Sequence, residues 1–576
     1  MLVQAVAALL ADSHGLPVWR VLDTGFSAAR LLTLWQAWRD MANPPRLLHL
    51  VVVSSALPSA DELKRSIGPL GGSELITELD EQWQGLLPGF HRLSLAEGRF
   101  LLTLCLGELQ PMLRELGFEA DSIWFDSTQL WNRWSLQALA RCCRRGTQLI
   151  STNPPALPQA LLTQAGFHCG NQSTRYDPPW TVRNRNPKPA AAVPGDCAVI
   201  GAGLAGAAVA AALARRGWRV SVFDAATAPA AGASSLPVGL LVPHVSGDDS
   251  PRSRLSRAGL RLVRQQAQRL LKKGQDWAPS GVLERRVDRS LGLPDWWPQQ
   301  DQDLSQPAQP IHAPWHAQTI PGPELWHPQA AWIKPAALVL AWLSTEGVRF
   351  IGQSDVDRLQ RLEQGWQLLD CEKRVLGRAS HVVLANAAKA PHLLVNLKQV
   401  LPLPPLQAVG GQLSFGLRQS IDSSMLPPFP VNGLGSLIPT VPTPQGLAWF
   451  AGATYEDPLS EDLPTERAHR ENFDKLRQLL PATASALEPY FMQARVQSWA
   501  GLRCVSPDRL PLVGPLEKVL HPSLWVNLAM GSRGLNFSFL CAELLAARLA
   551  GEPLPVENSI ARSLEASRFS PSSAQQ

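Results

Sequence analysis

The apolar positions of the first 180 or so residues fall into short runs that switch period. LLHLVVVSS (47–55), SIWFD (122–126) and TQLIST (147–152) are near-continuous apolar stretches of strand length. AARLLTLWQAWRDM (28–41) and LWNRWSLQALARCC (130–143) instead place their large side chains three and four apart, the spacing of one helix face. Such alternation predicts an α/β domain on a parallel sheet. The pattern lapses over PPWTVRNRNPKPAAAVPG, where proline and basic residues dominate and apolar periodicity is absent. The predicted organisation is therefore a domain over 1–178, a linker over 179–195 and a second domain over 196–565, with a disordered tail at 566–576. Within the second domain, strand-like runs fall at 197–201, 219–223 and 381–385, and a helical run at 538–550.

Composition changes this picture little. A chain of 576 residues exceeds one compact core. Its 50 prolines predict many loops and sharp strand exits. The net charge of +5 suits a partner with phosphates without requiring one. Basic clusters occur at Arg141, Arg144 and Arg145, at Arg183, Arg185 and Lys188, and at Arg252, Arg254 and Arg257; a solvated surface explains each equally well. The eight cysteines form no CxxC pair and no metal-ligand spacing, which argues for a reducing compartment and against a metal site. No window reaches the length of a membrane span, and the expected setting is a soluble, cytoplasmic protein.

The densest chemical signal is DCAVIGAGLAGAAVAAALARRGWRVSVFD (196–224). A short strand leads into Gly201, Gly203 and Gly206, then an alanine-rich helix, a second strand and Asp224. In a dinucleotide fold the first glycine permits the tight turn, the second admits the pyrophosphate, and the third lets helix and strand pack closely. The helix N-terminus offers free N–H groups to phosphate, and Asp224 can accept from ribose hydroxyls. A βαβ turn that binds nothing is the competing explanation, and the register of all four parts tells against it. Downstream, AGASSLPVGLLVP (231–243) offers Ser234 and Gly239 for a second phosphate-facing loop. Near the end, Gly531, Ser532, Arg533 and Gly534 precede a helix and can aim N–H groups at a flavin ring, or simply cap that helix.

GAGLAGAAVA, AGASSLPVG, AWIKPAAL, AGLRCVSPDRLPLVGP and MGSRGLNFSFLCAELLA, in that order, resemble the amine and amino-acid oxidases of the glycine-oxidase type. The likeness is closer to the oxidoreductase half of the bifunctional tRNA 5-methylaminomethyl-2-thiouridine biosynthesis family. It implies a FAD-binding Rossmann domain interleaved with a mixed-sheet substrate domain. The implied reaction is oxidative removal of the carboxymethyl group from 5-carboxymethylaminomethyluridine at the wobble position of the tRNA anticodon, with dioxygen as electron acceptor. By the same resemblance Arg503 would hold the substrate carboxylate, a role that suits its fork of donors; an ion pair with Asp508 is the alternative. Tyr455 either faces the substrate or fills the core.

The first domain resembles the S-adenosylmethionine-dependent methyltransferase half of that family in VLDTGFSAARLLTLWQAW, LLPGFHRLSLAEGRFLLTLCLGEL and DSIWFD. Its functional positions have drifted. Ser27, Ala28 and Ala29 stand in the cofactor loop where a further glycine is expected. Ser54 or Ser55 replaces the ribose-binding acid, forfeiting a charge-assisted hydrogen bond of about 1.5–3 kcal/mol. After Asp126, which survives, Ser127, Thr128 and Gln129 replace the family's loop. The expectation is a degenerate Rossmann-like methyltransferase fold with weak or absent S-adenosylmethionine binding, kept to hold tRNA or support the oxidase in a monomer. Two other functions remain open: an oxidase of small secondary amines or amino acids, and a non-catalytic tRNA-binding flavoprotein.

Overall fold

The computed structural model describes residues 2–126, 128–151, 159–170, 174–182, 191–285, 292–298, 303–309, 315, 324–398, 400–419, 421–455, 466–493, 495–517, 519 and 522–569. Ser127, residues 183–190 of the predicted linker (Arg183, Arg185 and Lys188 among them) and residues 570–576 of the predicted tail lie outside these residues. Contacts divide the chain into two units. The first comprises Met1–Pro194, Val519–Pro522 and Glu543–Ser563; the second comprises Gly195–Lys518, Ser523–Ala542 and Leu564–Gln576.

The first unit is built on an eight-stranded sheet. Its strands are β1 (Val18–Asp23), β2 (Leu47–Ser54), β3 (Gly89–Leu95), β4 (Phe100–Leu106), β5 (Ala120–Trp124), β6 (Cys143–Ile150), β7 (Phe167–Cys169) and β8 (Thr174–Tyr176), in the spatial order β3-β4-β2-β1-β5-β6-β8-β7. The five central strands are parallel, but β3 pairs antiparallel with β4, and β8 pairs antiparallel with both β6 and β7. The parallel sheet expected from the pattern forms the middle, and its edges are antiparallel. At one edge the left-handed residues Glu97 and Gly98 close a hairpin too short for a crossover helix. All of β2 is buried, as a central parallel strand with both faces covered requires. The helix Ala28–Asp40 lays Leu31, Leu34, Trp35 and Trp38 against the sheet, and Trp35 meets the Phe100 ring edge-on at 5.4 Å. Residues 543–563 complete this unit. Arg92 donates to the Pro553 carbonyl at 2.8 Å, Glu557 accepts from the Phe90 N–H at 3.1 Å, and His49 meets Glu552 at 3.2 Å with both side chains buried.

The second unit has two principal sheets. One runs in the order Val348–Ile351, Arg219–Phe223, Asp196–Ile200, His381–Leu384, Leu524–Leu528, Leu512–Pro515; only the last strand is antiparallel. The helix Leu204–Ala214 has nearly every residue buried, and its alanines let it lie close to the neighbouring strands. The other is an eight-stranded mixed sheet whose long strands Gln407–Leu417 and Gln497–Val505 pair antiparallel, bringing Val409 opposite Arg503. A FAD-type Rossmann sheet interleaved with a mixed sheet is the architecture the motifs imply.

Candidate active site

The glycine loop owes its shape to contacts that leave no room for side chains. A Cβ on Gly206 would lie 1.8 Å from the Gly201 carbonyl oxygen, and one on Gly201, at φ +107°, would lie 2.6 Å from the Ala385 carbonyl oxygen. Asp224 braces the loop: one carboxylate oxygen accepts from the Ala202 N–H at 2.7 Å and the other from the Ala226 N–H at 2.9 Å. Each oxygen keeps a further lone pair for a ribose hydroxyl. The helix after Gly203 has no capping side chain of its own; Ser234 accepts from the Leu204 N–H at 2.9 Å instead.

These residues open onto a cavity of about 1260 Å³ within the second unit. Its wall includes Gly201, Gly203, Asp224, Ser234, Gly239, Tyr455, Arg503, Gly531, Ser532, Arg533 and Gly534, so the structure brings together every residue singled out for cofactor and substrate in this unit except Gly206. Gly206 sits behind the loop, where it sets the distance between helix and strand. The cavity exceeds the ~300–1,000 Å³ of most small-ligand pockets, which leaves room for a large cofactor. Asn386 and Asn527 line it with buried amide oxygens that have no partner among the described residues, acceptors ready for a ligand's N–H or O–H. The glycine cradle, the braced acid and these acceptors fit FAD.

Arg503 projects from the mixed sheet into the same space. Its guanidinium donates to the Thr454 carbonyl at 3.3 Å and lies 4.8 Å from the Tyr455 ring centroid. Among the described residues no carboxylate pairs with it; Asp508, the alternative partner, is held by Arg568 at 2.7 Å. Burial pulls the Arg503 guanidinium below its ordinary range. A half-buried cation with no counter-ion among the described residues favours an anionic ligand. Tyr455 is not core: it is 61% exposed, with its hydroxyl 3.2 Å from the Ser532 hydroxyl. Sequence reasoning missed Asn386, Asn527, Lys389, Lys475 and Arg509, which also line the cavity, as does Arg252, noted in the sequence only as one of a basic cluster. Of the basic clusters, Arg144 pairs with Asp121 at 2.6 Å, Arg145 with Asp177 at 2.5 Å and Arg254 with Asp249 at 3.8 Å.

The family described as FAD dependent oxidoreductase matches residues 196–548, and the one described as S-adenosyl-L-methionine-dependent methyltransferase matches 71–175. The chain is 45% identical to the tRNA 5-methylaminomethyl-2-thiouridine biosynthesis bifunctional protein MnmC of Albidiferax ferrireducens, over 98% of this chain and 97% of the relative. The chain belongs to the MnmC family. A second MnmC relative, from Polaromonas naphthalenivorans, is 46% identical over 94% of this chain and 89% of its own. Among solved structures, L-proline dehydrogenase from P. horikoshii shares the fold of the second unit's region. It covers 65% of this chain and 98% of its own, with a TM-score of 0.50 at 15% identity. The MnmC oxidoreductase half is thus a FAD-dependent enzyme of the class that acts on CH–NH bonds, and the cavity described above lies within its matched span.

In the first unit the MnmC methyltransferase match begins at residue 71 and leaves out β1 and the loop after it. That loop and Asp126 meet at the carboxyl ends of β1 and β5, where the order of the sheet reverses and open α/β sheets hold their ligands. Thr24 ties the two strand ends together, accepting from the Asp126 N–H at 2.8 Å and donating to the Trp124 carbonyl at 3.2 Å. Ser54, at the end of β2, turns its hydroxyl onto the Ala56 carbonyl at 2.6 Å. Among the described residues no metal-binding cluster occurs and no helix is long and apolar enough to cross a membrane.

Proposed function

We propose that the second unit oxidises the C–N bond of the carboxymethylaminomethyl group on a wobble uridine of tRNA, giving the aminomethyl form. The observation that carries this reading is Arg503, half-buried in the wall of the FAD-type cavity and paired with no carboxylate among the described residues. The group removed is an N-substituted glycine, and the names of the relatives supply the tRNA and the uridine. FAD, when bound, accepts two electrons and a proton from the CH₂ beside nitrogen. The glycine loop and Asp224 would hold its ribose and phosphates, and Gly531–Gly534 would face its ring. Arg503 pairs both oxygens of the substrate carboxylate and so fixes which carbon is presented. Tyr455 flanks that guanidinium and, through Ser532, ties it to the glycine turn at 531–534. Water then completes the cleavage, releasing glyoxylate and the aminomethyl uridine. Arg252, Lys389, Arg509 and Arg503, with Lys475 already paired to Glu471 at 2.6 Å, outnumber Asp224, Asp355 and Asp357 in the wall and make the cavity favourable to anionic ligands. Dioxygen would be the terminal electron acceptor, and a tRNA substrate would set the reaction in the cytoplasm.

Anaerobic mixing of FAD-loaded protein with tRNA carrying 5-carboxymethylaminomethyluridine tests this directly. Bleaching of the flavin absorbance within a turnover is expected. Bleaching by sarcosine or glycine but not by the tRNA would replace this reading with a small-amine oxidase.

A further inference from the structure

Arg30 lies in the first turn of the helix Ala28–Asp40, whose N-cap is Ser27. A cation there opposes the helix dipole, so its position needs compensation from elsewhere. The compensation comes from the two carboxylates at the sheet's switch point. Arg30 Nε and Nη2 each donate to Asp23 at 2.9 Å, and Nη2 lies 3.6 Å from Asp126 while also donating to the Gly25 carbonyl. The guanidinium lies 5.4 Å from the Trp124 ring centroid and its side chain is 13% exposed. Asp126 is drawn into the same space: a Cβ on Gly25 would sit 2.2 Å from its Oδ2, and Thr128 holds its Oδ1 through N–H and hydroxyl at 2.9 and 2.6 Å. The glycine surface that a cofactor would approach is thus covered by Asp126, and the acid at the end of β1 already holds Arg30 through both of its oxygens, with the Gly25 N–H donating to Oδ1 at 3.1 Å.

We infer that Arg30 occupies the crevice in which the first unit would otherwise take S-adenosylmethionine, and that this chain therefore stops at the aminomethyl uridine. A sulfonium donor carries positive charge, so it would have to displace a guanidinium of the same sign from two carboxylates. The residues present do not fit the cofactor. The class of reaction that consumes the product is then N-methylation by a separate enzyme, which forms the N–C bond as the donor's S–C bond breaks and passes the amine proton to solvent. The occupied crevice stands independently of the oxidase reading; the hand-over of product rests on it.

The experiment is equilibrium dialysis of labelled S-adenosylmethionine against three FAD-loaded full-length proteins: the natural chain, Ser27→Gly/Ala29→Gly, and Ser27→Gly/Ala29→Gly/Arg30→Met. Thermal melts confirm folding, and flavin bleaching by carboxymethylaminomethyl tRNA reads the second unit separately. The natural chain and the double variant are expected to show no saturable binding up to about 1 mM donor, and the triple variant to gain at least about tenfold in affinity. Micromolar binding by the natural chain would overturn the inference. So would a folded triple variant that binds no better than the double variant, or binding by the double variant equal to that of the triple. If the triple variant fails to fold, Ser27→Gly/Ala29→Gly/Arg30→Gln replaces it. This variant removes the charge and keeps an amide for Asp23, and its donor affinity should exceed that of the double variant; no gain would count against Arg30 as the occupant. Loss of flavin bleaching in all proteins would instead strike the oxidase reading and leave the crevice result standing.

Discussion

Two charged residues, one in each unit, illustrate how burial sets the chemistry. Arg503 is held by carbonyl oxygens and a ring, so its charge is left for a ligand. Arg503→Met should retain FAD yet lower kcat/KM for the modified tRNA. The fall should be roughly ten- to hundredfold, matching a lost charge-assisted hydrogen bond of about 1.5–3 kcal/mol. Arg503→Lys should recover part of it, and steady-state glyoxylate release measures both. Asp23 shows the opposite case. Burial outweighs its pairing with Arg30 and pushes its carboxyl up to about 7. The folded state therefore binds a proton that the unfolded chain, with a carboxyl near 4, releases. Stability of the first unit should fall as pH rises from about 4 to about 7, and Asp23→Asn should flatten that slope in denaturant titrations. Sequence pattern showed Arg503 only through a resemblance, because a lone arginine in a strand has no local signature. Arg30 read as one polar position on an amphipathic helix; its two carboxylate partners lie 7 residues before it and 96 after it.

At the scale of elements, the strand–loop–helix at 196–224 was legible almost whole. All its parts are contiguous, and each glycine answers a contact made within the unit or with the next strand. Gly206→Ala tests that contact. With its Cβ 1.8 Å from the Gly201 carbonyl, the helix and strand must separate, costing about 1–3 kcal/mol. The purified variant should be colourless, with flavin absorbance as the readout. The antiparallel edges of the first sheet were not legible, since strand direction follows from the lengths of connections rather than from apolar runs. Asn386, Lys389 and Lys475 escaped for a related reason. They reach the cavity from segments far along the chain from the glycine loop, and none carries a motif of its own.

At the scale of the whole molecule, the division departs from the boundaries that composition suggests: Val519–Pro522 and Glu543–Ser563 join the first unit, and Ala566–Phe569, expected as disordered tail, form a helical turn whose Arg568 holds Asp508 at 2.7 Å. Residues 543–563 complete the first unit through Arg92, Phe90 and His49, contacts that no periodicity announces. The basic balance of the chain, +5 overall, acquires meaning only beside the lysines and arginines of the cavity wall. If a polyanion is the substrate, KM for tRNA should rise steeply with salt while kcat stays nearly constant, measured between low and physiological ionic strength. The most direct measurement is mass spectrometry of nucleosides from tRNA carrying 5-carboxymethylaminomethyluridine after incubation with the FAD-loaded protein in air. Conversion to 5-aminomethyluridine with matching glyoxylate is the result predicted here. An unchanged nucleoside, in protein that holds FAD and leaves the tRNA intact, would contradict the assignment.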